Sequence, residues 1–86
     1  MFFVYFLKSL KDNQLYLGST NDLRNRIKEH NEGKSRSTNS RRPFKLIYYE
    51  AYISEKDARH REHNLKLRSR ALAQLKKRLE HTLKDA

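Results

Sequence analysis

The chain has 86 residues, and 20 Lys and Arg against 10 Asp and Glu leave a formal charge of +10. That length fits one domain, spanning 1–86, and the absence of cysteine excludes disulfides and thiolate metal sites. A charge of this sign points to a polyanionic partner, nucleic acid before membrane surface. The opening MFFVYFLK is apolar but too short for a membrane span, and it lacks a basic lead-in and a cleavage site. A cytoplasmic, soluble protein is therefore the expectation.

Residues 2–8 carry apolar side chains at both parities and read as a strand covered on both faces. Lys11-Asp12-Asn13 supplies turn chemistry, and residues 14–19 read as a second strand completing a hairpin. A helix follows, with Thr20 or Asn21 as its N-cap, Asp22 at the positive end of its dipole and Gly33 as its stop. Leu23 and Ile27 mark its buried stripe, and position 30 is next in the series. Residues 33–43, GKSRSTNSRRP, form a basic loop, and residues 44–53 form a third strand. Ser54 with Asp57 resembles a capping box opening a helix over 55–67. Ser69 is a candidate second cap, after which Leu72, Leu75, Leu79 and Leu83 hold an apolar stripe over 70–84. A break near Arg68-Ser69 is favoured over one continuous helix. The predicted fold class is α+β: a three-stranded, mainly antiparallel sheet flanked by helices in the order ββα-βαα. A domain this small needs the leucine stripe as cover, which favours a monomer.

Ionisable groups on core-facing stripes are costly and concentrate at functional sites. Glu62 lies four residues after Ala58 and three before Leu65, so its carboxylate faces the sheet; an ion pair with a nearby Arg is the structural alternative. Arg26 and His30, four apart, share one side of the first helix. Tyr5 and Tyr16 share a sheet face if the hairpin turn has an even number of residues, such as Lys11-Asp12; plain core packing is the alternative for both. His60 and His63 could share a helix face, but zinc needs a third ligand and there is no HExxH.

Together these residues resemble the GIY-YIG nuclease superfamily, specifically small stand-alone members similar to the excinuclease catalytic domain. Phe3-Val4-Tyr5 stands where that family has Gly-Ile-Tyr, and Tyr16-Leu17-Gly18 where it has Tyr-Ile-Gly. Arg26 follows Tyr16 by ten residues, His30 matches a position often His or Tyr, and the strand RRPFKLIYYEAY precedes the helix bearing Glu62. The resemblance spans about 2–70. The chain departs from the family in having Phe3 for the first glycine and no placeable late Asn, Gln74 being a poor substitute.

The resemblance implies a divalent-metal-dependent endonuclease acting on DNA in preference to RNA. Structure-directed cutting, a link to repair or recombination, and a protein partner for targeting are further expectations. Glu62 would hold Mg²⁺, or Mn²⁺ in its place; a lone carboxylate argues against a two-metal clamp. Arg26 would neutralise the phosphate. Tyr5 would take a proton from water, Tyr16 would bond phosphate or water, and His30 would relay the proton or orient Tyr5. Lys34, Arg36, Arg41 and Arg42 would grip the backbone, and Thr38 and Asn39 are further candidates for substrate contact. These side chains are expected around one hollow. A binding module of the same fold that cuts weakly or not at all is the alternative, and the missing Asn favours it. An RNA-binding role would need stacking aromatics exposed on the sheet, whereas both faces read as covered.

Overall fold

A computed structural model describes residues 1–67 and 70–86. In chain order it contains β1 (Phe2–Ser9), β2 (Leu15–Thr20), α1 (Leu23–Asn31), a 3-10 turn (Asn39–Arg41), β3 (Phe44–Tyr52), α2 (Glu55–Lys66), α3 (Arg70–Arg78) and α4 (Glu80–Asp85). The strands pair antiparallel in the order β2-β1-β3. The strand with apolar residues at both parities is the central one, and both its faces are buried.

Alternation along β1 divides the core in two. Val4 and Phe6 point to one face and pack with Ala58 and Leu65 of α2, Leu75 of α3 and Leu79. Tyr5 and Leu7 point to the other and pack with Phe44, under Leu23 and Ile27 of α1. No helix among the described residues is long and apolar enough to cross a membrane.

The hairpin turn has four residues, 10–13, rather than the two residues Lys11-Asp12. Ser9 N donates to the Gln14 carbonyl at 3.0 Å, and Asn13 sits at φ 60°. Four is also even, so the parity argument survives: Leu7 faces Tyr16 and Tyr5 faces Gly18. The buried Ser9 hydroxyl accepts from Lys11 N and Asp12 N and donates to the Arg41 carbonyl at 2.6 Å, joining this turn to the basic loop.

The N-cap of α1 is Asp22, not Thr20 or Asn21; its carboxylate accepts from Asn25 N at 3.1 Å. Thr20 is still paired with Phe3 in the sheet, so the chain turns first, with Thr20 Oγ1 accepting from Asp22 N. Gly33, at φ +78°, lies just past the helix in the left-handed region that glycine tolerates. Ser54 caps α2 by accepting from Asp57 N. The helix predicted over 70–84 is two helices that meet at Leu79. Leu83 N still donates to the Leu79 carbonyl at 2.8 Å, so the leucine stripe bends without losing its place on the core. The break near Arg68-Ser69 and the Ser69 cap lie outside the described residues.

The expectation that both sheet faces are covered fails on the α1 side of β3. Tyr49 is 51% exposed. The reason is length: a nine-residue helix spans about 14 Å, while a nine-residue strand spans about 30 Å, so α1 cannot roof the whole face.

Candidate active site

Tyr5 and Tyr16 share the α1 face with their ring centroids 6.4 Å apart. His30, on the last turn of α1, packs edge-on to both rings and is fully buried. Its Nε2 lies 3.0 Å from the Tyr5 hydroxyl and its Nδ1 lies 2.8 Å from Thr38 Oγ1. Thr38 Oγ1 is also within 3.5 Å of the Ser35 carbonyl, to which it can only donate. Assigning the protons from this network makes Thr38 the acceptor of His30 Nδ1–H, and Nε2 the acceptor of the Tyr5 hydroxyl. A chain of hydrogen bonds thus runs from Tyr5 through His30 and Thr38 into the basic loop.

Thr38 was expected to touch substrate, but it is completely buried and instead fixes the histidine's tautomer. Nothing in the polar, aperiodic loop sequence marks it out for burial. Burial raises the pKa of Tyr5, and the nearby Arg26 guanidinium opposes that rise. Burial and the Arg26 charge both lower that of His30. The pair is therefore neutral in the free protein. Although burial would lower the pKa of Arg26, its interaction with Tyr5 outweighs this and raises it. Arg26 also pairs loosely with Glu29, at 3.6 Å.

Glu62 occupies the other face. Its Oε1 accepts from Ser19 Oγ at 2.6 Å and its Oε2 meets Lys66 Nζ at 2.7 Å; the partner is thus a lysine one turn on rather than an arginine. Burial alone would raise its pKa, but the Lys66 and Ser19 bonds prevail and lower it, so the group is a carboxylate at neutral pH. Ser19 and Gly18 are consecutive in β2 and point to opposite faces. Glu62 and the Tyr5 hydroxyl therefore approach the edge strand β2 from opposite faces. A hollow of about 240 Å³ between the β2–α1 corner and α2 is lined by Ser19, Asn21, Glu55 and Arg59 among others, and by no phenol. Glu62 is still felt at Tyr5, where its charge adds slightly to the raised pKa.

Gly18 is the hinge of this arrangement. A Cβ there would stand 2.5 Å from the Tyr5 hydroxyl, so only glycine lets the phenol lie across β2 toward its open edge. A family model for the GIY-YIG catalytic domain matches residues 1–79. The chain belongs to the GIY-YIG family. A UPF0213 protein of Clostridium perfringens is 45% identical over 67 residues, covering 77% of this chain and 71% of the relative. UPF0213 protein YazA of Bacillus subtilis is 38% identical over 72 residues, covering 83% and 73%. Among solved structures, the solution NMR structure of a UPF0213 protein from Bacillus halodurans is 36% identical, with a TM-score of 0.52 over 87% of this chain and 81% of that one.

The remaining predicted residues of this GIY-YIG chain lie in the loop over 33–43. Lys34, Arg36 and Arg42 are exposed, with Lys34 3.3 Å from Glu32 and Arg42 bonded to the Asn39 carbonyl. Arg41 turns inward: it bonds Asp12 at 2.9 Å, depressing that carboxyl to about 2, and lies over the Phe44 ring. Its contacts tie the loop to the hairpin. Among the described residues no three His, Asp or Glu side chains gather as metal ligands, so His60 and His63 form no such cluster.

One polar cluster escaped the sequence reading. Glu50 on β3 accepts from Tyr48 Oη at 2.6 Å and Tyr52 Oη at 2.5 Å, and receives two bonds from Arg61 of α2 at 2.9 and 3.0 Å. The spacing Tyr48, Glu50, Tyr52 puts all three on one strand face, which was the available signal.

Proposed function

We propose that this GIY-YIG protein is a divalent-metal-dependent endonuclease that hydrolyses phosphodiester bonds in DNA. The carrying observation is the pair of half-sites flanking the open edge of β2: Tyr5, His30 and Arg26 on one side, an ionised Glu62 on the other. The donor set suits Mg²⁺, which takes one or two carboxylates and completes its shell with water and substrate phosphate oxygens. The exposed Lys66 is a displaceable occupant of the carboxylate that would hold it. Bound there, the cation would supply charge neutralisation at the phosphate.

The chain's own groups do the rest. Arg26 binds phosphoryl oxygens through its planar fork of donors. Tyr5 accepts a proton from the attacking water as it passes its own to His30 Nε2. The resulting hydroxide bonds to phosphorus and the P–O bond to the leaving oxygen breaks. That oxygen takes a proton from solvent, and His30 returns its proton to solvent through Tyr5. The Arg26 charge favours the phenolate character this requires, and the anionic substrate favours the imidazolium. Tyr16, packed on His30, holds the ring in line. Lys34, Arg36 and Arg42 supply sequence-independent grip, and a role in repair or recombination agrees with cutting directed by DNA structure.

The test incubates purified protein with plasmid, branched DNA and RNA in Mg²⁺, Mn²⁺ or EDTA, beside Glu62→Ala and Tyr5→Phe. Metal-dependent cutting of DNA, lost in Glu62→Ala while binding persists, is the expected result. Binding without cutting by the wild type would establish the alternative, a binding module lacking the family's late Asn.

A further inference from the structure

The part of the α1 face that α1 does not reach is aromatic. Tyr49 lies directly opposite Tyr5 in the β1–β3 register, and Phe3 opposite Ala51, so all four share that face. Phe3 packs edge-on against Tyr49, with ring centroids 5.9 Å apart and planes at 66°. That contact props Tyr49 while leaving it 51% exposed. Phe3 is the residue standing where the family motif has its first glycine, so this chain builds an aromatic support where glycine offers no side chain.

Tyr49 is thus a supported ring on the same sheet face as Tyr5, two strands, or about 10 Å, from the β2 strand over which the Tyr5 hydroxyl lies. The chain's net charge of +10 favours a polyanion as the ligand that meets it. Every base has a π face, and bases stack on such rings without regard to sequence. In a duplex that face is already stacked on its neighbours, so only an unpaired base can use the ring.

We infer that Tyr49, propped by Phe3, is a stacking platform for an unpaired base of the strand that the Tyr5 site cuts, making single-stranded DNA the preferred substrate. This rests on the nuclease reading and adds to it a residue that determines specificity. Neither Tyr49 nor Phe3 belongs to the chain of hydrogen bonds that starts at Tyr5.

The experiment measures binding in EDTA and metal-dependent cleavage of a single-stranded oligodeoxynucleotide and its duplex by wild type, Tyr49→Ala and Tyr49→Phe. The oligonucleotide carries 2-aminopurine, whose fluorescence falls on stacking. Tyr49→Ala is expected to weaken single-strand binding about tenfold and abolish the quench. Duplex binding should stay within about twofold, and Tyr49→Phe should restore both signals because stacking uses the ring and not the hydroxyl. Wild-type affinity and quench retained in Tyr49→Ala would overturn the inference while leaving the nuclease reading intact. Unchanged single-strand affinity with a wild-type dimer that becomes monomeric in Tyr49→Ala would also overturn it, assigning the patch to self-association. A wild type that neither binds nor cuts any nucleic acid would overturn both readings.

Discussion

Glu50 and Glu62 are two carboxylates on the same side of the sheet, with side chains 16% and 19% exposed. Both are held ionised by hydrogen bonds that overcome burial. Burial and pKa therefore do not distinguish them, but their partners do. Glu50 is gripped by a two-bond arginine and two phenols, all packed between β3 and α2. Glu62 is held by one serine hydroxyl and by a lysine whose side chain is 51% exposed. A carboxylate surrounded by fixed donors is a strut; one whose counter-charge can swing into water can accept something else.

Exchanging the two carboxylates in turn should separate strut from site. Glu62→Gln is expected to cut DNA about a hundredfold more slowly or worse, a loss on the scale of removing one stabilising group at a transition state. Its melting temperature should stay within a few degrees of wild type. Glu50→Ala should do the converse, costing about 3 kcal/mol by stranding Arg61. For a domain of this size that is a fall in melting temperature of about 10 °C or more. Activity per folded molecule should be retained. Parallel nicking assays and thermal melts check both, and a Glu50→Ala variant that melts normally would erase the distinction.

The pH dependence of unfolding sharpens the contrast. Glu50 is depressed to about 2 from an ordinary 4.5, Arg61 and the two phenols outweighing the burial that would raise it. Its contribution is complete above pH 4.5 and drains away as pH falls toward 2, because the unfolded chain takes up the proton first. Burial and Glu50 raise Tyr48 and Tyr52 to about 12 from 10, so what they contribute is complete below pH 10 and lost between 10 and 12. Denaturant melts across pH should show both slopes, and both should flatten in Glu50→Gln. The smallest effect belongs to Lys66→Ala. An exposed pair one helical turn apart is worth about 0.3–0.5 kcal/mol, so stability should barely change. The Glu62 carboxyl should rise toward its ordinary range, read by NMR titration.

Local chemistry made several features legible in advance. The Ser54 cap, the burial of both faces of β1 and the pairing of Tyr5 with Tyr16 on one face follow from parity and capping. Those rules act over a few residues and survive an error in turn length. The cap of α1 was misplaced because its position depends on where β2 stops pairing with β1, which is a partner's property. Thr38 was given a substrate-facing role for a similar reason: only the fold brings this loop threonine, eight residues downstream, against His30.

Periodicity and the GIY-YIG motif spacing determined, from sequence alone, the three strands, the first two helices and which side chains belong to each helix stripe. Tertiary structure alone decided that Glu62 approaches from the opposite side of β2 to the phenols, and that α1 is too short to roof Tyr49. Stripes record which way a residue faces on its own element. How far one layer reaches over another is set by packing lengths and angles that no single segment encodes.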